Sequence, residues 1–347
     1  MSTCDPNKIS MVLSRRRKTK NFFMQNAIYI VLLLLCVLIV LIDPSFLSLT
    51  NLGFILSQSS SRIIIALGVA GIIVLGGTDL SAGRSVGMAG IIAASLLQAT
   101  NYSLRIFKGM DELPLYLPLV LCIVVCALFS MVQGLMVAKF KIAPFITSLG
   151  FQMVIYGAQS VYFDKVNSSS PIGGLSRAYS HFAQGFFRLG GFRVSYIVIY
   201  ALIVTGLVWF VWNQMALGKN MFAVGGNKEA AIVSGVNLTA VTILIYLLAG
   251  VLYGFAGFIE AARTGSATNN LGVGYELDAI AACVVGGVSL QGGLGSISGV
   301  ITGVLIFQVI NYGLNFIDVN PYVQFIIKGA IILFAITIDT QKYIKKR

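Results

Sequence analysis

IIIALGVAGIIVLGGTDLSAGRSVGMAGIIAASLL, Ile63 to Leu97, decides how this chain must be read. Two runs that hydrocarbon would accept flank GGTDLSAGR, Gly76 to Arg84, where an aspartate, an arginine and three glycines interrupt them. An ionised side chain at mid-bilayer costs about 2.5–3.5 kcal/mol on insertion scales, so Asp79 and Arg84 demand an account. They are five residues apart, about 140° of helical rotation, and do not share a helix face. Either the segment is an irregular or re-entrant turn in which the two charges meet, or it lies at the membrane surface where both are hydrated. Non-helical backbone at membrane depth needs protein or water around it, not lipid.

Similar apolar runs recur along all 347 residues, of which 57% are hydrophobic and only 10% charged. Soluble domains carry about 25% charged residues. Runs of the length needed to cross ~30 Å of hydrocarbon are continuous rather than alternating, so helices and not barrel strands are expected. The fold class is an all-α integral membrane protein of about ten transmembrane helices, with broken or re-entrant segments and a weak internal repeat. The expected spans are 27–42, 52–75, 86–99, 114–138, 145–163, 194–212, 238–262, 277–285, 297–314 and 322–338. The domain reading is a basic cytoplasmic segment at 1–26, a single transmembrane domain at 27–338 and a basic cytoplasmic tail at 339–347.

The net charge of +12 is read as orientation and contact with anionic lipid, not as nucleic-acid binding. Arg15, Arg16, Arg17, Lys18 and Lys20 precede the first span, and Lys342, Lys345, Lys346 and Arg347 follow the last. Both termini are therefore expected in the cytoplasm, with Lys139, Lys141 and the 213–237 loop on the same side. The 164–193 loop, with three arginines and one lysine on the expected outer side, departs from the rule. The first run has no small-residue cleavage site and reads as a retained anchor. Cys122 and Cys126 share a helix face without a nearby His or acid, which is packing rather than a metal site.

The break has an echo. Gly76–Gly83 aligns with GGVSLQGG, Gly286–Gly293, at four of eight identical positions. Paired, glycine-interrupted segments point to a transport pathway. Asp79, Ser81 and Arg84 are accordingly candidates for lining or gating a path. So are Asn269, Asn270, Tyr275, Glu276 and Asp278 in ATNNLGVGYELDAIAACVVGG, whose asparagines and tyrosine offer hydrogen bonds to a hydroxylated solute. Glu276 and Asp278 also suit the first turn of a helix, where acids offset the dipole.

GGNKEAAIVSGVN, Gly225 to Asn237, reads as a helix of roughly two turns, capped by Asn227, with Glu229 in its first turn, Ala230 and Ala231 in its body and a stop at Gly235. Isolated helices below about 12–15 residues do not hold in water, so this one needs something to dock on: its own spans or a cytoplasmic partner. The sequence contains no GxxxxGK[ST], hence no P-loop ATP site. His181 is its only histidine, and no hydrolytic triad or metal-ligand cluster is apparent, so the chain reads as no enzyme.

Three of these stretches together, GGTDLSAG, GGNKEAAIVSGV and YELDAIAACVVGGVSLQGG, carry a family resemblance. From about Ile28 onward the chain resembles the sugar-importing permeases of binding-protein-dependent ABC transporters, in the ribose/xylose/galactose branch. RIIIALGVAGIIV, GSATNNLG, INYGL and the NPY and IIKGAII stretches are most similar to the galactose/methyl-galactoside permeases. The resemblance implies a bacterial inner-membrane subunit that pairs with a second copy of itself. It implies a cytoplasmic ATPase with two fused nucleotide-binding halves, which binds ATP and Mg, and a periplasmic sugar-binding protein. No cofactor is expected on this chain. Gly225, Gly226, Asn227, Glu229, Ala230, Ala231 and Gly235 match the coupling-helix position that seats in the ATPase. The alternative is a self-contained sugar carrier driven by an ion gradient, which the repeat and the intramembrane acid fit but the short naked helix does not.

Overall fold

A computed structural model describes residues 32–167, 170–189 and 192–344. The basic segment expected at 1–26 and the terminal Lys345, Lys346 and Arg347 lie outside them.

The helices are α1 (Leu32–Ile42), α2 (Leu49–Val74), α3 (Ala82–Leu96), α4 (Tyr116–Phe140), α5 (Pro144–Asn167), α6 (Arg177–Gln184), α7 (Tyr196–Asn213), α8 (Ala216–Gly226), α9 (Lys228–Val233), α10 (Leu238–Thr264), α11 (Tyr275–Val285), α12 (Ile297–Phe316) and α13 (Pro321–Ile344). A 3-10 turn at Pro44–Leu47 follows α1, and strands β1 (Phe186–Leu189) and β2 (Phe192–Ser195) form an antiparallel hairpin. Each of the ten expected spans corresponds to a helix: α1–α5, α7 and α10–α13. Five of them (α2, α4, α7, α10 and α12) are long and apolar enough to cross a membrane alone. The described residues are predominantly helical, as expected of an all-α membrane protein.

Four local readings are corrected. The 164–193 loop contains α6 and the β1–β2 hairpin, and the 213–237 loop contains two helices rather than one. Helix α3 begins at Ala82, so Arg84 lies in its first turn and not in the break. Helix α13 continues to Ile344, past the expected end of the last span at 338.

The chain divides into two compact units, one of residues 1–47 and 309–347 and one of residues 48–308. In the first, Phe46 packs edge-on against Phe316 with ring centroids 5.5 Å apart, and Ile39 is buried. In the second, α10 is the central post. Helix α4 runs antiparallel to it, so close that a methyl group at Gly254 would lie 2.6 Å from the Cys122 carbonyl oxygen. The Cys122 and Cys126 thiols donate to the carbonyls of Ala89 and Ser85 on α3, both at 3.2 Å. That is the packing role their spacing suggests.

Both breaks are helix stops of one kind. Helix α2 closes with Gly76 N–H donating to Ile73 and Gly77 N–H to Ile72, and α11 closes with Gly287 N–H donating to Val284 and Val288 N–H to Cys283. This paired pattern needs a left-handed residue just past the helix, which glycine supplies without a Cβ clash. The φ angles are +83° at Gly76 and +85° at Gly287. Gly76 is thus the counterpart of Gly287, one residue out of step with the sequence alignment to Gly286, because the backbone selects the residue at the left-handed position rather than the first glycine of each pair.

Helix pairing sets the sense of the repeat. Arg62 meets Tyr275, Cys283 donates to Ala66, and Gly293 donates to Val74, so α11 runs parallel to α2. Helix α3 returns from the first break alongside α10, and the start of α12 returns from the second alongside α11, where Gly299 and Gly303 face Gly286 and Ala282. The two copies therefore run in the same sense, not inverted.

Replacing Gly254 by Leu should push α4 from α10 and lower the thermal stability of the detergent-solubilised protein, since overpacking costs about 1–3 kcal/mol. Gly206→Leu on α7, where a side chain meets no atom within 4 Å, should leave it nearly unchanged.

Candidate functional site

Three neighbourhoods hold the residues singled out by sequence: the first break, the α10–α11 connection and the α8–α9 turn. The first break is built around a carboxylate. Asp79 is fully buried. Its Oδ1 accepts from Ser81 N–H at 2.9 Å, Ser81 Oγ at 2.6 Å and Gln133 Nε2 at 3.2 Å, and its Oδ2 accepts from the Tyr253 hydroxyl at 3.0 Å. Four donors from the break, α4 and α10 thus converge on one side chain just ahead of the α3 N-terminus, where the helix dipole favours negative charge. Asp79 and Arg84 do not pair, and Asp79 is not at a wetted surface. A ring of neutral donors satisfies it instead, as a buried charged group requires.

Arg84 is part-buried on α3. Its guanidinium lies 4.1 Å from the centre of the Tyr156 ring and donates to the Asn269 carbonyl at 3.4 Å. Asn269 belongs to the turn-rich stretch between α10 and α11. Its side chain is held by Gln159 at 3.1 Å and Ser160 at 3.0 Å, both on α5. Gly83 on α3 and Gly272 approach backbone to backbone there, and the buried Glu276 stands beside them. Glu276 Oε2 has no hydrogen-bond partner among the described residues. Asn270 is exposed, and Asp278 is half-buried in the first turn of α11. The structure so brings Arg84, Asn269 and Glu276 together and keeps Asp79 with Ser81 in a separate network.

Tyr275 joins a cluster that the sequence reading missed. Its hydroxyl donates to Glu260 at 3.0 Å, and the Arg62 guanidinium sits over its ring at 3.1 Å. Glu260 is fully buried, takes Ser61 Oγ at 2.7 Å and is gripped by Arg263 through Nε at 3.0 Å and Nη2 at 2.8 Å. Bidentate pairs of this kind are the strong ones. The signal was available: Glu260 and Arg263 stand at i and i+3 inside the apolar run of α10, and the argument that singled out Asp79 applies to them equally.

The α8–α9 turn has the geometry its residues suggest. Asn227 caps α9 by accepting from Ala230 N–H at 3.0 Å. Gly235, with φ +81°, closes it, its N–H donating to Ile232 and that of Val236 to Ala231. Ala231 is buried, whereas Glu229 and Ala230 are exposed, and Ile232 and Val233 are 59% and 89% exposed. At the base of this turn the two breaks and α8 meet. Gly293 N–H donates to the Val74 carbonyl at 2.8 Å. A methyl group at Gly292 would lie 2.8 Å from the Gly225 oxygen and 2.9 Å from the Gly76 nitrogen. A cavity of about 440 Å³ opens beside them, lined by Gly76, Gly77, Lys141, Val224, Lys228 and Tyr246 among others. Among the described residues no group of three or more His, Cys, Asp or Glu is placed to hold a metal ion.

Comparison with known proteins places this arrangement. A family described as branched-chain amino acid transport system / permease component matches residues 51–336. The galactose/methyl galactoside import permease protein of Escherichia coli is 55% identical over 94% of this chain and 97% of its own length. The same-named protein of Haemophilus influenzae is 54% identical over 96% of this chain and 100% of its own length. The ribose import permease protein of Escherichia coli is 35% identical over 95% of this chain and 98% of its own. No solved structure matches the chain.

Asp79→Ala should take the acceptor from three of the four donors aimed at the carboxylate, Ser81 Oγ keeping Gln133 Oε1 at 3.0 Å, and each buried unsatisfied group costs about 1–3 kcal/mol. Tyr253→Phe removes only one of them and should cost less. Thermal unfolding followed by size exclusion in detergent checks the order.

Proposed function

Since the chain belongs to the branched-chain amino acid transport system / permease component family, we propose that it is the membrane subunit of an ATP-driven importer for galactose and methyl galactosides. It works by alternating access with a separate ATPase and carries no ATPase site of its own. The substrate assignment is taken over from the named relatives, which are similar over nearly their whole length. The ion-coupled carrier finds no support among them, since these relatives are import permeases of one family.

The observation that carries the mechanism is α9. It is six residues long, capped at one end and stopped at the other, and it turns Ile232 and Val233 outward. Such a helix is too short to hold alone and is here prefolded on α8 with an apolar tip uncovered. That is the shape of a docking peg for a cytoplasmic ATPase with two fused nucleotide-binding halves, whose ATP and Mg supply the work. Its base touches Val74 and Gly293 through Gly225, so a displacement of α9 reaches both breaks at once. The breaks then switch the path between the two sides of a bacterial inner membrane.

In this reading the α8–α9 end is cytoplasmic, together with both termini, Lys139 and Lys141, and the hairpin end is periplasmic, where a sugar-binding protein delivers its cargo. A second copy of the chain completes the path. Gly225, Gly226, Asn227, Glu229, Ala230, Ala231 and Gly235 form the coupling element. Asp79 and Ser81 hold the shape of the first break, and Arg84, Asn269, Asn270, Tyr275, Glu276 and Asp278 stand along the α10–α11 connection as path or gate residues.

Glu229→Arg, or an insertion after Gly235, should leave the chain folded and lower uptake by about tenfold or more, equivalent to about 1.4 kcal/mol of lost coupling. Labelled galactose uptake by the assembled complex checks this, and wild-type uptake by an assembled Glu229→Arg complex would refute it. Depleting ATP should abolish uptake while an ionophore spares it.

A further inference from the structure

A cavity of about 590 Å³ lies at the hairpin end, between the first turns of α2, the end of α10 and the α6–hairpin connection. Of the residues singled out by sequence none lines it, though Tyr275 reaches its Arg263 through Glu260, and neither the family match nor the relatives' names assign it a role. We propose that it is a vestibule that binds the sugar, a neutral pyranose, on its way into the path. This rests on the importer reading and its orientation, and adds the place of first contact.

The chemistry of the wall carries the proposal. Three of its side chains are each fixed by one end and left with a second polar end. Arg263 spends Nε and Nη2 on Glu260, which neutralises it and leaves Nη1 outside the pair. Gln184 spends Nε2 on the carbonyls of Ala262 and Arg263, which leaves its Oε1 as an acceptor. Gln58 accepts from Gln308 through Oε1, which leaves its Nε2 as a donor. Ser57 adds a hydroxyl on the same side of α2. These groups need no reordering when a ligand arrives, which lowers the entropic cost of binding.

Two rings complete the wall. Phe54 and Phe186 both line the cavity and are 54% and 43% exposed. A pyranose presents hydroxyls around its edge and C–H groups on its faces, so it wants fixed donors and acceptors beside an aromatic surface. The volume falls within the ~300–1,000 Å³ usual for small-molecule sites. The Arg263 charge is matched by Glu260, which leaves Arg193, drawn over the Phe186 ring at 5.0 Å, as the other charged side chain of the wall.

The test uses the assembled importer in proteoliposomes, with Cys4 and Cys36 replaced by Ser, the buried Cys122, Cys126 and Cys283 kept, and one accessible reporter, Ser57→Cys; the parent with Ser57 gives the background labelling. The expected result is that a charged, water-soluble maleimide added outside labels it, and that uptake of labelled galactose falls in proportion to labelling. Free galactose at about ten times its half-saturating concentration should slow labelling about tenfold, by mass action. Labelling by a lipid-soluble maleimide alone would overturn the proposal, since the cavity would then face the bilayer. So would full labelling that leaves uptake unchanged. Thr50→Cys, about two turns earlier on the same wall, serves if Ser57→Cys does not assemble. If the unmodified complex shows no ATP-driven galactose uptake, the importer reading itself falls, and that result is distinct from both.

Discussion

The hydrogen bond from Gly293 N–H to the carbonyl of Val74, 2.8 Å long, holds together everything that distinguishes this protein from a plain helical bundle. Val74 is the last residue of α2, and a terminal helix carbonyl has no partner within its own helix. Val74 is fully buried, so water does not supply one either. The second break supplies the missing donor, and Gly225 of α8 closes over the same carbonyl. Three chain segments remote in sequence thus solve one another's backbone deficit at a single point. Gly225 and Gly293 must be glycine where they touch, since a Cβ on either would run into backbone atoms of the neighbouring segment. The stop of one helix is therefore an anchor for another and for the base of α9.

Around this point the charges are arranged by how each is satisfied. Asp79 is caged by neutral donors from three elements, which ties the first break to α4 and α10. Glu260 and Arg263 pair within α10, and Tyr275 and Arg62 bring α11 and α2 against the pair. A buried carboxylate with several partners costs little only while all of them are in place. Such networks therefore act as fixed joints, and the movable parts are expected where the backbone meets backbone through glycine. Glu276, buried beside Gly83 with Oε2 lacking a partner among the described residues, is the exception within this pattern.

Much of this was legible in the chain itself. The continuous apolar runs located ten helices among the described residues, five of them long and apolar enough to cross a membrane, because the need to bury backbone polar groups in lipid leaves helices little freedom. The cap and stop of α9 followed from Asn227 and Gly235, whose local chemistry requires no distant partner. The start of α3 was placed late, since the polar Ser81, Arg84 and Ser85 resemble loop residues until their burial is known. The register of the repeat was one residue off, since two adjacent glycines look alike in sequence while only one has positive φ. The sugar came from resemblance, in stretches such as RIIIALGVAGIIV and GSATNNLG, and the relatives' names agree with it.

The sequence by itself determined the membrane class, the spans, the two glycine breaks and the short exposed helix. These follow from the hydrophobic period and from capping, both of which act within a few residues. Only the tertiary structure decided that Asp79 faces Tyr253, 174 positions away, rather than Arg84. Only it decided that the two repeats run in the same sense and meet at Val74, and that Arg263, Gln58 and Gln184 line one cavity. Such pairings depend on which helices lie side by side. A bilayer rewards every apolar face alike, so helix order is set by close glycine packing and by the few polar groups that must find partners.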